Sequence, residues 1–457
     1  MDILKKNLEE LALRAPGVST VVAAAGAGAA TVVPEDKLRF MLVGTHIHQV
    51  TGYSKVTYNM VRELAKMPDL QVIHYGFQKF NGGLTSSRKY PEGVVEIDAA
   101  ATEPPNPPGQ PPVHHGFGFV GIGGAIRKHR PHVVMIYNDF AVISGFLEAI
   151  QRSGVERNFQ IWIYADQVYT LQQKPYLDNI NREATRVFTF SDYWKDCLKR
   201  QGINRPIEVI NHGFTAADFP VIPKAVARKA IGLPEDMFLM MSLNRNQPRK
   251  RLDLLVMAFV EIIVKYPQKN IGLLMVSDKG EKGGWNLFEI FARELQLRGA
   301  SVEQFGARLM ITSKDMSYRD DEINMMYNAA DIGVSCAEGE GWGLCSFEMM
   351  GVGKPQVLSD VGGHKDFCSA DNSLLIAPKA RYYLPACYCN LGGEAHVVDP
   401  HDVCVGMENY LMDSSLLEQH SKAAREKVLT YTWENVMKQL RRRLERTWQD
   451  IKDGVEA

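Results

Sequence analysis

The sequence lacks an excess of charge, a CxxC pair of cysteines and long apolar runs. Its 457 residues contain 52 Lys and Arg against 53 Asp and Glu, so bulk charge gives no reason to bind nucleic acid or another extended polyanion. The seven cysteines form no CxxC pair, which argues against a zinc module and indicates reduced thiols in a cytoplasmic protein. With 45% hydrophobic and 23% charged residues, the composition is typical of a soluble globular protein of two or three domains.

No stretch of about 18 residues is apolar enough to predict a membrane-spanning helix. The nearest candidate, residues 21–33, is short, consists mostly of Ala and Gly, and lacks the basic start and Leu-rich centre of a secretory signal. Ahead of it, residues 1–15 place Ile3, Leu4, Leu8 and Leu11 near helical spacing, which predicts a short amphipathic helix. Docking or homo-oligomerisation is the favoured role of this helix, and a membrane-surface role is the alternative.

Two series of short apolar runs alternate with helical segments. The first series predicts strands at 38–43, 72–75, 132–137, 160–164, 187–190 and 207–210. The second series predicts strands at 238–242, 271–276, 309–312, 332–335 and 356–358. This alternation predicts an α/β fold of two doubly wound parallel sheets, with a ligand cleft between the two halves.

The densest chemical signal is the segment 338–353, EGEGWGLCSFEMMGVG. A predicted strand enters a glycine-rich turn, and a helix starts near Leu344, so backbone N–H groups can face a phosphate or a sugar edge. Glu340 lies in the turn and Glu348 about one turn into the helix. Two carboxylates beside a phosphate-sized space can accept hydrogen bonds from sugar hydroxyls. The alternative is a glycine-rich helix entry with two solvated acids.

A second signal, NRNQPRKR at 244–251, directly follows a predicted strand. It carries Arg245 and Lys250 on either side of Pro248, within a dense local group of cations. Arg can hold a diphosphate through two hydrogen bonds, and Lys adds a point charge. A solvated basic turn is the alternative.

Together these segments resemble the retaining glycosyltransferases of the GT-B fold, family 4. The family's E-x7-E motif is present as Glu340 and Glu348, and its R-x4-K pair as Arg245 and Lys250. Further matches, in chain order, are the Thr51-Gly52-Tyr53 loop, the helix opening at Ser191, the Asn211-His212-Gly213 turn, and SDVGGHKDF with Gly362 and Gly363. The ordered set runs from about Phe40 to Trp433, most of the chain.

The resemblance implies two Rossmann-like domains and a division of the chain into four parts. Residues 1–36 would form the N-terminal helix and a flexible segment, 37–216 the acceptor domain, and 217–432 the nucleotide-sugar donor domain. Residues 433–457 would form a helix that crosses back to the first domain. Bracing by this basic helix is the favoured role, and contact with anionic lipid is the alternative.

The resemblance also implies an activity, the transfer of a hexose or related sugar from a nucleotide diphosphate sugar to an acceptor hydroxyl. Glu348 would bind the ribose, Glu340 and the following amides the donor sugar, and Arg245 with Lys250 the diphosphate. Other expected donor contacts are Gly52, Tyr53, Tyr137, Asn138, Asn244, Met316, Gly341, Trp342, Gly343, Leu344, Gly362 and Gly363. No metal or organic cofactor is expected. A UDP- or GDP-sugar is the expected donor, and the acceptor is a glycan, a lipid-linked molecule or a small molecule.

The sequence departs from the family after the strand at 132–137. Many members carry a His there, whereas this chain reads MIYNDF and places Tyr137 in the His position. Asp139 follows directly, and Asp166 ends the next predicted strand. We therefore group Asp139 and Asp166 with Glu340, Arg245 and Lys250 as candidate catalytic residues. For the two aspartates, helix capping is the alternative.

Other patterns are weaker. Gly116, Gly118 and Gly121 match G-x-G-x-x-G but follow a proline-rich loop instead of a strand, which disfavours nicotinamide binding. His46 and His48 lack a third metal ligand, and an acceptor contact or a simple loop role stays open. A sugar-nucleotide epimerase, a phosphorylase of the same fold and a non-catalytic sugar-nucleotide-binding protein are the alternative functions.

Overall fold

Parallel sheets form the centre of each half of the protein. The computed structural model describes residues 36–79, 88–104, 116–277, 284–312, 318–384 and 392–454. The predicted helix at 1–15, most of the proline-rich loop at 104–112 and Met316 lie outside these ranges. Within the described ranges, no helix combines the length and the apolar character needed to cross a membrane.

The first sheet has seven parallel strands. They are β1 (Leu38–Thr45), β2 (Leu70–Phe77), β3 (Val95–Asp98), β4 (Val133–Asp139), β5 (Gln160–Asp166), β6 (Arg186–Thr189) and β7 (Ile207–Val209). Their spatial order is β3-β2-β1-β4-β5-β6-β7. The helices between them are α1 (Gly52–Leu64), α2 (Ile122–His129), α3 (Phe140–Arg152), α4 (Lys174–Glu183) and α5 (Asp192–Arg200). The inner strands are buried almost throughout, as expected of a parallel sheet covered on both faces.

The second sheet has six parallel strands. They are β8 (Phe238–Leu243), β9 (Ile271–Val276), β10 (Leu309–Ile311), β11 (Ile332–Ser335), β12 (Gln356–Ser359) and β13 (Ser373–Ile376), in the order β10-β9-β8-β11-β12-β13. The accompanying helices are α6 (Lys224–Ile231), α7 (Leu252–Lys265), α8 (Leu287–Leu297), α9 (Val302–Phe305), α10 (Asp320–Ala329), α11 (Leu344–Gly351), α12 (His364–Phe367), α13 (Pro400–Met412) and α14 (Ser414–Leu429).

Strand order reverses once in each sheet, between β1 and β4 and between β8 and β11. In open parallel sheets the ligand crevice lies outside the carboxyl ends of the strands at this reversal. The loops that follow β1, β8 and β11 therefore lie where a ligand is expected. Thr51 and Ser54 form a capping box that starts α1 directly after the first of these loops.

The predicted strands of both series are present, with ends that differ by a few residues. β3, β13 and an antiparallel hairpin, β14 (Ala380–Leu384) with β15 (Gly393–Val397), were not predicted. The hairpin joins the two halves, because Leu384 and Ala395 pack against Tyr169, which follows β5. Within the second half, Tyr382 of the hairpin donates its hydroxyl to Glu338 Oε2 at 2.7 Å.

The last helix, α15 (Trp433–Lys452), crosses back to the first half, as predicted. Leu440 and Leu444 are fully buried. Arg441 Nη2 donates to the backbone oxygen of Glu63, near the end of α1, at 3.0 Å. The helix thus ties the end of the chain to the first sheet.

Leu444→Ala is expected to lower the free energy of unfolding by about 2–5 kcal/mol, because it removes a buried side chain and leaves a cavity. Leu297→Ala is the matched control, since Leu297 is 59% exposed; its effect should stay within about 0.5 kcal/mol. Urea unfolding measures both. Equal losses for the two variants would show that α15 does not stabilise the first half.

Candidate active site

A cavity of about 470 Å³ lies between the carboxyl ends of the two sheets. From the first half it is lined by the loop at 50–53, by Lys55 of α1, and by Tyr137 and Asp166 at the ends of β4 and β5. From the second half it is lined by the loop after β8 and by residues 340–346 and Glu348. The two densest sequence signals therefore meet in one cavity.

The glycine-rich turn is held in place by close backbone packing. Gly343 has a φ of +92° directly before α11, in the left-handed region that favours glycine. Gly363 donates its N–H to the backbone oxygen of Glu340 at 3.1 Å. A Cβ on Gly363 would lie 2.2 Å from the Gly341 oxygen, so only glycine fits there. Gly362 and Gly363 thus support the turn from behind and are not part of the cavity lining.

Glu340 forms an ion pair in the part of the cavity that the second half lines. Lys250 Nζ contacts Glu340 Oε2, and Arg249 Nη1 lies 3.7 Å from the same oxygen. Burial by itself would raise the pKa of Glu340, but Lys250, Arg249 and His364 outweigh it and lower the pKa to about 2. Glu340 is therefore an ionised acceptor of hydrogen bonds at neutral pH.

Glu348 lies further along α11 and contacts both halves of the protein. Its Oε1 is 2.7 Å from Lys55 Nζ of α1, and its Oε2 accepts from the Tyr327 hydroxyl at 3.1 Å. Lys55 Nζ is also 3.2 Å from Asp320 Oδ1, at the start of α10. These ion pairs bridge the cleft beside the carboxylate that the family resemblance assigns to the ribose.

The first half contributes buried polar groups that have no partner among the described residues. Tyr53 donates its hydroxyl to Asp166 Oδ2 at 2.5 Å, while Asp166 Oδ1 makes no hydrogen bond. Both ring nitrogens of His212 are likewise buried without a partner among the described residues, and so is the Nε1 of Trp342, which faces them from the second half. A buried polar group left unpaired costs about 1–3 kcal/mol. All three residues line the cavity, so a hydroxyl-bearing ligand or ordered water there would satisfy these groups.

The structure separates the two candidate aspartates. Asp139 Oδ1 accepts from the Val142 N–H at 3.0 Å and caps α3, and Asp139 is absent from the cavity lining. It therefore has the capping role that was the alternative to catalysis. Asn138 is buried beside it, also away from the lining. Asp166 lies in the cavity as expected.

The other predicted contact residues also divide into those that line the cavity and those that do not. The residues that line the cavity are Gly52, Tyr53, Tyr137, Asn244, Arg245, Gly341, Trp342, Gly343 and Leu344. His46 and His48 do not line it. His46 is buried, with Nε2 2.9 Å from Glu96 Oε1, and His48 Nε2 lies 3.1 Å from the Arg88 oxygen. This placement fits the simple loop role.

Sequence reasoning missed Lys55, Arg249, Asp320 and Tyr327. Arg249 belongs to the basic segment that was singled out, so charge density was a usable signal for it. Lys55, Asp320 and Tyr327 lie on helices far from either motif, and no local pattern marks them. Among the described residues, no group of three or more His, Cys, Asp or Glu side chains is placed to hold a metal ion.

The stability of the protein should depend on pH through Asp166. Burial raises the pKa of Asp166 from 3.8 to about 6. Well below pH 4 the carboxyl is protonated in both the folded and the unfolded chain, so its burial carries no ionisation penalty. As the pH rises, the unfolded chain ionises first and the folded state loses stability, by up to about 3 kcal/mol once the pH exceeds 6.

Asp166→Asn keeps an acceptor for Tyr53 but cannot ionise. We expect it to raise the thermal midpoint relative to wild type at pH 8 and to raise it much less at pH 4. Asp178→Asn, at an exposed position on α4, is the control and should show no such difference. An equal change at both pH values for Asp166→Asn would contradict the burial of an ionisable carboxyl there.

Comparison with known proteins finds a family match for part of the second half. Residues 236–384 match the model of the family described as glycosyl transferases group 1. The second half of the chain carries a glycosyl transferases group 1 domain. This group 1 domain contains both charged motifs of the cavity, and the resemblance to the GT-B glycosyltransferases of family 4 is confirmed.

The similar proteins agree with this assignment. D-inositol 3-phosphate glycosyltransferase of Thermobispora bispora is 28% identical over 157 residues, 34% of this chain and 35% of that protein. The match thus spans about a third of the relative's length. Sucrose-phosphate synthase from Thermosynechococcus elongatus has a TM-score of 0.66 at 18% identity, covering 90% of this chain and 100% of that chain. The Anabaena HepE protein in complex with UDP and glucose has a TM-score of 0.64 at 13% identity, with the same coverage. These structures show that the fold is GT-B.

Proposed function

We propose that the protein is a retaining glycosyltransferase that moves a sugar from a nucleoside diphosphate sugar to an acceptor hydroxyl without a metal ion. The observation that carries this proposal is the single cavity in which the cations after β8 meet Glu340, Glu348 and the start of α11. A nucleoside diphosphate sugar presents the complementary groups, a charged diphosphate flanked by two sets of hydroxyls.

Each part of the donor has a matching feature in the cavity. Arg245, Arg249 and Lys250 supply positive charge for the diphosphate, which the backbone N–H groups at the start of α11 would also face. Glu348 would accept from the ribose hydroxyls and Glu340 from the sugar. The unpartnered Asp166 Oδ1 and His212 nitrogens would take sugar or acceptor hydroxyls on the opposite wall.

Transfer breaks the bond between the anomeric carbon and the diphosphate oxygen, which keeps the electron pair. The acceptor oxygen forms the new bond on the same face, and its proton goes to a phosphate oxygen of the leaving group. Negative charge therefore grows on the diphosphate in the transition state, where the adjacent cations stabilise it. These cations supply charge that a metal ion provides in other enzymes, and the scheme requires no protein nucleophile.

The printed names of the similar proteins guide the choice of substrates. The HepE structure contains UDP and glucose, so UDP-sugars are the first donors to test. One relative is named for inositol 3-phosphate and one structural neighbour for sucrose phosphate. The acceptor panel should therefore contain inositol phosphates, hexose phosphates and free hexoses.

Thermal unfolding in the presence of UDP-, GDP- and ADP-glucose tests donor binding. A donor at 100 times its dissociation constant should stabilise the folded protein by about 2.7 kcal/mol. Glucose alone at the same concentration is the ligand control, and Glu348→Gln should weaken the response. If no sugar nucleotide stabilises the wild-type protein more than glucose does, the proposed function is wrong.

A further inference from the structure

A second cavity lies on the outer side of the first half, between β7 and α15. Its volume is about 450 Å³, within the range of small-molecule sites, about 300–1,000 Å³. The charged residues of its lining are Glu208 of β7 and Lys438, Arg442, Arg443 and Arg446 of α15. We call this cavity the α15 groove. It shares no lining residue with the cavity between the sheets.

The acid of the groove is already neutralised. Arg443 Nη2 is 2.9 Å from Glu208 Oε1, and Gln439 Nε2 donates to Glu208 Oε2 at 3.2 Å. Arg186 of β6 also pairs with Glu208 Oε1. Because this carboxylate is shared by two guanidinium groups, it cannot balance the other cations of the groove.

The other three cations of the groove, Lys438, Arg442 and Arg446, form no ion pair with an acid among the described residues. Within the ranges that the structure describes, the side chains of Arg442 and Arg446 make no hydrogen bond or ion pair, and Lys438 Nζ contacts only Asn435 Oδ1, at 2.8 Å. Glu434 and Asp450 lie on the same exposed side of α15, but neither forms an ion pair with these cations. Lys438, Arg442 and Arg446 follow one another at i, i+4 and i+8, an arrangement in which like charges destabilise a helix.

The packing of α15 against the first half does not explain why these three cations are present. That packing uses the other face of α15, through Leu440, Leu444 and the contact of Arg441 with Glu63. A row of like charges around a concave surface is instead suited to a ligand with several negative oxygens. Guanidinium groups bind phosphate through paired hydrogen bonds.

We propose that the α15 groove binds a phosphate group, carried either by a soluble phosphorylated molecule or by the headgroup of an anionic lipid. The site is separate from the transfer cavity and does not depend on the function proposed for it. Arg442 and Arg446 are its principal ligands, and Lys438 adds a third positive charge.

The test compares wild type, Arg442→Gln/Arg446→Gln and a control, Arg152→Gln/Lys174→Gln. The control removes two cations of the same half whose side chains are 75% and 82% exposed. Calorimetric titration with inorganic phosphate and glycerol 3-phosphate measures soluble ligands. Co-sedimentation with vesicles of phosphatidylglycerol and phosphatidylcholine, against phosphatidylcholine alone, measures lipid binding. All three proteins keep the transfer cavity unchanged, so phosphate binding there contributes equally to each measurement. A difference in affinity between the variants therefore reports on the α15 groove.

We expect the groove variant to lose about tenfold or more in affinity for at least one probe, while the control binds like the wild type. Loss in titration identifies a soluble phosphate ligand, and loss confined to the vesicles identifies a lipid headgroup. If the groove variant binds every probe as tightly as the control does, or if the wild type binds none, the proposal is overturned.

Discussion

Lys250→Ala is expected to lower the rate of sugar transfer by about 100- to 1,000-fold. Lys250 Nζ lies in the cavity against Glu340, and its side chain is largely buried. In the proposed reaction it faces the diphosphate on which negative charge grows. A positive charge inside a partly enclosed cavity acts more strongly there than it would in water, so its loss should affect kcat more than donor binding.

Two further variants make this result interpretable. Lys250→Arg keeps the charge and should retain more activity than Lys250→Ala. Lys265→Ala removes a cation from the end of α7, where Lys265 pairs with Glu408 at 2.8 Å on the surface, and should leave the rate unchanged. Release of nucleoside diphosphate measures all three rates, and thermal unfolding confirms that each variant is folded. Full activity in folded Lys250→Ala would remove Lys250 from the mechanism.

Glu348→Gln is expected to weaken donor binding by about 10- to 100-fold, because hydrogen bonds to a charged group contribute about 1.5–3 kcal/mol. An amide can accept at only one of its two terminal atoms and carries no charge, so it cannot accept from the two ribose hydroxyls through two separate oxygens as a carboxylate can. Since the ribose does not react, kcat at saturating donor should change much less than KM.

The partners of Glu348 refine this expectation. Tyr327→Phe removes the 3.1 Å hydrogen bond to Glu348 Oε2 and should weaken donor binding less than Glu348→Gln does. Glu445→Gln, an exposed position on α15, is the control for loss of a carboxylate. Titration with the donor measures each dissociation constant. An unchanged constant in Glu348→Gln would mean that the ribose lies elsewhere.

The carboxylates and the cations after β8 were predictable because each lies within a local pattern. Glu340 and Glu348 belong to one strand-turn-helix unit, and Lys250 follows the end of a buried strand. A single segment of sequence fixes the geometry of such units. Their meeting in one cavity follows from the rule for carboxyl ends of parallel strands, and the structure places them as expected.

The partners of these groups were not predictable, since they depend on how the two halves pack. Lys55 reaches Glu348 from α1, nearly three hundred positions earlier in the chain. No spacing rule connects two such positions. Likewise, four residues of β14 are exposed, so this strand lacks the apolar run or alternation that marked the core strands.

Asp139 and Asp166 differ in the structure that follows each of them in the chain. Both end neighbouring strands, and both looked like acids facing the cleft. Asp139 is followed at once by a helix, α3, so its carboxylate meets free N–H groups and caps them. Asp166 is followed by an irregular segment up to α4, so no helix N-terminus engages it. An acid at the end of a strand is therefore predicted to cap a helix when the helix starts at the next residue, and to face the cavity when an irregular segment follows.

The most direct test of the central claim is transfer itself, followed by proton NMR at the anomeric centre. Wild-type protein and Lys250→Ala are incubated with the sugar nucleotide that stabilises the fold most and with the panel of inositol phosphates, hexose phosphates and hexoses. We predict that the wild type releases nucleoside diphosphate in step with a glycoside whose anomeric configuration matches that of the donor, and that Lys250→Ala does so at least about 100-fold more slowly. A product of inverted configuration, or donor that is bound but never consumed, would contradict the account.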